Sequence, residues 1–77
     1  MNSNLDSVNK TSLNNTLRYL GISKTRFAEL VGVSREAMTL IANDKRLPDI
    51  RTAQKIVRVL NDVYHIQTSI DELWPLK

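Results

Sequence analysis

Seventy-seven residues with a formal net charge of +3 and no cysteine set the first bounds on this chain. The length suits one small domain whose modest core is commonly supplemented by oligomerisation, and the absence of thiols excludes disulfides and thiolate metal sites while being compatible with a reducing cytoplasm. No apolar run approaches the roughly 20 residues that span a bilayer, the start lacks the charged-then-apolar pattern of a signal peptide, and His65, the one histidine, has no partner at metal-ligating spacing.

Residues 1–10 are rich in Asn and Ser with little to bury, and are expected to form a mobile N-terminal arm ahead of a single domain over residues 11–77. Thr11 or Ser12 can cap a first helix that turns Leu13, Leu17 and Leu20 inward and ends at Gly21. Ser23 can cap a second helix, on which Phe27, Leu30 and Val31 share one face at i, i+3 and i+4. Gly32 supplies the left-handed conformation that a helix C-terminus favours. Val33 is apolar within the turn, and Ser34 follows at once as the N-cap of a third helix with Met38 and Ile41 inward. Ala28 falls where two helices crossing at about 90–120° come closest, a place for a small side chain.

Pro48 stops anything upstream, Asp49 can cap, and residues 50 to about 64 make the longest helix. Its inward stripe reads Ile50, Ala53, Ile56 or Val57, Leu60 and Tyr64. Its other face carries Arg51, Lys55 and Arg58 at i, i+4 and i+7, which by themselves describe a solvated face before a DNA contact. Ser69 and Glu72 have capping-box spacing and open a short fifth helix with Leu73 and Trp74. Leu73 and Trp74 are read first as folding back onto helices one and four, and second as a dimer surface shared with Leu76. Five helical stripes, short loops and no convincing strand predict an all-α compact bundle.

Charge is unevenly placed. From Arg18 to Arg58 nine bases face four acids, a net +5, whereas from Asn61 to Lys77 one lysine faces three acids, a net −2. A protein that neutralises phosphates on one face should show this asymmetry.

The run FAELVGVSREAMTLIANDKRLPDIRTAQKIVRVL resembles the helix-turn-helix domain shared by lambda-type phage repressors, Cro proteins and xenobiotic-response-element (XRE) regulators, over roughly Leu13 to Trp74. The family's apolar positions correspond to Phe27, Val31, Val33, Met38 and Ile41, its small residue and turn glycine to Ala28 and Gly32, and its basic loop and proline to Lys45-Arg46-Leu47-Pro48. Three positions depart from the pattern. Lys24 stands for a frequent glutamine, Ala42 for a frequent glutamate and Asp44 for a frequent glycine. Asn43 or Asp44 can still take up the left-handed conformation after the third helix. The segment from Asn61 to Ser69 is longer than in the shortest members.

The resemblance implies a five-helix, lambda repressor-like fold with helix three in the major groove of double-stranded DNA. Arg35, Glu36, Thr39 and Leu40 are then the base readers. Arg35 can donate to guanine O6 and N7, Glu36 can accept from a cytosine amine, and Leu40 can meet a thymine methyl. Lys24, Arg26, Ser34, Asn43, Lys45 and Arg46 are the phosphate candidates, helped by the N-termini of helices two and three. The implied function is sequence-specific transcriptional regulation in the cytoplasm, at the nucleoid, by a repressor occupying its operator. Further implications are a homodimer on a two-fold operator, a phage or other mobile-element setting and, with no room for ligand sensing, a simple switch. The competing reading is an antitoxin-like module that binds a partner protein. No nucleophile–base set, carboxylate pair or phosphate-cradling glycine loop speaks for an enzyme, and no cofactor or metal is expected.

Overall fold

The structure, a computed structural model, describes residues 13–75. The predicted arm over residues 1–10, the caps Thr11 and Ser12, and Leu76 lie outside the described residues. Five helices follow in order: α1 (Leu13–Leu20), α2 (Lys24–Val31), α3 (Arg35–Ala42), α4 (Ile50–Asp62) and α5 (Ile70–Leu73). No strand occurs among the described residues. The described residues therefore form an all-α five-helix bundle.

Local chemistry starts and stops these helices. Side chains of Ser23, Ser34, Asp49 and Ser69 accept from the backbone N–H three residues on, those of Arg26, Ala37, Thr52 and Glu72, at 3.0, 3.0, 2.8 and 3.3 Å. Each bond satisfies one of the donors that a helix start leaves without an internal partner. At Asp49 the Thr52 side chain and then the Thr52 backbone N–H hold the carboxyl below the usual aspartate range, with smaller help from the Arg51 and Lys55 charges. Gly21 and Gly32 end α1 and α2 at φ 72° and 91°. Asp44 does the same after α3 at φ 61°, while Asn43 stays at φ −92°. The Asp44 N–H donates to the Ile41 carbonyl at 3.2 Å and the Lys45 N–H to the Leu40 carbonyl at 2.9 Å. Those paired bonds are the Schellman pattern, which turns the chain sharply away from the end of α3.

One buried cluster joins all five helices: Leu13 and Leu17, Phe27, Ala28 and Val31, Met38, Ile41 and Ala42, Ile56 and Leu60, and Leu73. Leu20, Ile22, Val33, Val57, Tyr64 and Trp74 pack on its margin. Leu73 and Trp74 thus close the core, as the first of the two readings expects. Ala42 is fully buried and belongs to this cluster at i+4 from Met38, so its departure from the family pattern falls in the core rather than at the surface.

Three expectations need correction. Ile50 is 64% exposed, not inward. At about 100° per residue, Ile50 and Val57 share a line along α4 at the edge of the stripe formed by Ala53, Ile56 and Leu60. Ile50 is also the first residue of α4. Val57 on the same line is half-buried, so Ile56 is the inward member of that pair. The helix ends at Asp62, short of Tyr64. His65 takes the left-handed conformation at φ 57° and the Ile66 N–H returns to the Leu60 carbonyl at 2.9 Å. Tyr64 still packs against the core, from the turn instead of the helix. Leu30 is half-buried, a weaker contribution than that of Phe27 or Val31.

Candidate nucleic-acid interface

The α2–α3 unit is fixed from inside. Phe27 and Met38 are completely buried, and Ala28 beside them lets the two helices approach. Both the Gly32 and Val33 N–H groups donate to the Ala28 carbonyl, at 2.8 and 3.0 Å, which folds the turn tightly onto the end of α2. Ser34 then starts α3 without a spacer. Two eight-residue helices are thereby held in one relative orientation by residues that do not reach the surface.

Outside that scaffold, Lys24 and Thr25 from the first turn of α2 and Arg35, Glu36, Thr39 and Leu40 from α3 line one open concavity of about 750 Å³. Both helix N-termini open onto it, and each carries partial positive charge from its unpaired N–H groups. The four predicted base readers are therefore brought together on one surface. Leu40 is 40% exposed, so it serves that surface and not the core. Thr25 was not anticipated. Its position, second in α2, is the available signal, because the helix crossing brings the opening turns of α2 and α3 side by side.

The phosphate candidates divide into groups. Lys24, half-buried, lies within the concavity. Ser34 is the exposed cap of α3, next in sequence to Arg35, its Oγ accepting from the Ala37 N–H and its hydroxyl hydrogen left to donate. Asn43, Lys45 and Arg46 are all exposed, at the other end of α3 on the turn set by Asp44. Arg26 is engaged differently, with Nη1 3.5 Å from Glu29 Oε1 in a solvent-exposed i, i+3 pair. Such a pair is worth little and is readily exchanged, about 0–1 kcal/mol. Among the described residues no group of three or more His, Cys, Asp or Glu side chains is placed to hold a metal, and no helix is long and apolar enough to cross a membrane.

A capped helix, a tight glycine turn and a second capped helix with its polar face outward define a helix-turn-helix protein. A helix-turn-helix family model matches residues 20–65, more than half of the chain, and the protein belongs to that family, in its lambda repressor-like, XRE-type form. It is a DNA-binding regulator of that class. Comparison with curated proteins and with solved structures finds no match.

Proposed function

We propose that this protein is a transcriptional repressor that occupies a two-fold operator as a homodimer, with α3 of each copy in the major groove. The observation that carries this reading is the concavity where both helix N-termini meet the side chains of Arg35, Glu36, Thr39 and Leu40. Arg35 supplies the bidentate donor suited to guanine, Glu36 the acceptor suited to a cytosine amine, and Leu40 the apolar contact suited to a thymine methyl. Lys24, Ser34, Asn43, Lys45 and Arg46 bracket them and set register through phosphates, with Arg26 joining once it leaves Glu29. Occupancy of a promoter-overlapping site is enough to exclude polymerase.

Selection of bound sequences from a random duplex pool tests the proposal. The expected result is a two-fold symmetric consensus with half-site centres about 10 base pairs apart. A pool that shows no enrichment after repeated rounds refutes sequence reading, and an asymmetric single half-site refutes the homodimer.

A further inference from the structure

The outer face of α4 holds a second concentration of positive charge. Arg51, Lys55 and Arg58 are all exposed. They lie within about 60° of one another around the helix, on the side opposite Ala53, Ile56 and Leu60. Their neighbours offset them only in part. Among the described residues the one ion pair is Arg26–Glu29. Asp49, at the start of α4, attracts Arg51 and Lys55 but has its carboxylate bound to Thr52. Asp62, four residues beyond Arg58, is exposed and in no ion pair. Like charges at i, i+4 oppose helix formation by about 0.2–0.5 kcal/mol each, so the stripe is a cost to the isolated fold.

In sequence the stripe follows closely on the turn after α3, which carries two of the proposed phosphate contacts. Lys45 and Arg46 precede Pro48, Asp49 caps α4 at once, and Arg51 is in its first turn. Seven residues at about 1.5 Å each place Arg51 and Arg58 roughly 10 Å apart. A DNA strand carries one phosphate per about 3.4 Å of axis but winds around it, so consecutive phosphates are ~7 Å apart and that length meets about two, or three with the reach of the side chains. Three cations on long side chains thus reach two to three consecutive charges.

We propose that Arg51, Lys55 and Arg58 form a second phosphate-binding strip that follows the backbone of the operator duplex beyond the base pairs read by α3. This extends the DNA reading given above and rests on it. The strip adds affinity without sequence preference and lengthens the footprint outside the half-site.

The test compares wild type with the triple variant Arg51→Gln/Lys55→Gln/Arg58→Gln and with a charge-keeping variant, Arg51→Lys/Arg58→Lys. Salt dependence of binding is measured on the selected operator extended by one helical turn on each side, and on the same operator trimmed to its ends. On the extended duplex the triple variant is expected to lose about 2–3 units of the slope of log K against log salt, at about 0.9 per phosphate contact. The slope on the trimmed duplex and the preference for the operator over scrambled DNA should barely change, and the charge-keeping variant should match wild type. An unchanged slope on the extended duplex, with Arg35-dependent selectivity intact, overturns this proposal alone. Equal losses on both duplexes overturn the flanking placement, and capture of a second duplex by wild type but not the variant overturns contact with the same duplex. Failure of wild type to bind either duplex overturns both this proposal and the DNA reading. Should the triple variant not fold, the three single substitutions decide by the same criterion, each expected to remove about one unit.

Discussion

Ser34 and Arg35 are adjacent at the start of α3, yet they should fail in opposite ways when replaced by alanine. Ser34 Oγ accepts from the Ala37 N–H at 3.0 Å, and removal of such a cap costs about 1 kcal/mol. For a domain of this size that corresponds to a fall of roughly 4–8 °C in Tm. Arg35 has an exposed side chain in no ion pair among the described residues. A cation in the first turn also opposes the helix dipole by about 0.3–1 kcal/mol. Arg35→Ala should therefore leave Tm unchanged or raise it slightly. Its effect belongs to recognition. A bidentate contact to guanine discriminates by about 1–3 kcal/mol, equivalent to about 5–150-fold in selectivity per half-site. Thermal unfolding by circular dichroism and competition of operator against scrambled duplex measure the two quantities on the same preparations. Ser34→Ala should weaken binding to all sequences alike, and Ser34→Gly, which keeps an acceptable cap, should lose only a few tenths of a kcal/mol of stability. The reasoning is refuted if Arg35→Ala melts as low as Ser34→Ala, or if its selectivity equals that of wild type.

Two further expectations concern backbone and pH. A Cβ at Gly32 meets nothing within 4 Å, but φ is 91°, so Gly32→Ala should destabilise by about 1–2 kcal/mol from backbone strain alone, measured by urea unfolding. A larger loss would mean that packing at the turn also changes. Asp49 has its pKa lowered by bonding to Thr52 in the folded state. Its contribution is fully present above the ordinary aspartate value and is lost as pH falls through the lower folded value. Asp49→Asn should therefore reduce the acid sensitivity of Tm across that interval and leave the neutral range flat; an unaltered acid limb would refute the assignment.

The helix starts were legible because each is a local event. A Ser or Asp three residues ahead of its N–H partner forms that bond whatever the rest of the chain does, and all four caps from Ser23 to Ser69 formed. The end of α4 was not legible, because no glycine marks it and the left-handed residue is His65. Periodicity also overcounted at Ile50. A helical stripe specifies angle but not how far along the axis the neighbouring helices extend. The choice between Ile56 and Val57 needed the position of α2, which packs on α4 and buries the first more completely. At the site, the side chains of α3 could be assigned from one helix, whereas Thr25 depended on how two helices cross. The pairing of Arg26 with Glu29 was open to i, i+3 reasoning, and the family resemblance drew attention to phosphate instead.

Asp44 carries a consequence for how the protein finds its site. Its left-handed turn does what a glycine would do, but it sets a carboxylate between the end of α3 and the bases Lys45 and Arg46. On the DNA reading, that charge weakens attachment to every sequence by the same factor and leaves base discrimination untouched. Because non-operator DNA vastly outnumbers the operator, time lost on wrong sites limits the search. If this turn meets phosphates as proposed, an acid in place of the family's frequent glycine would shorten each stay on the wrong DNA, and Asp44→Gly would lengthen it.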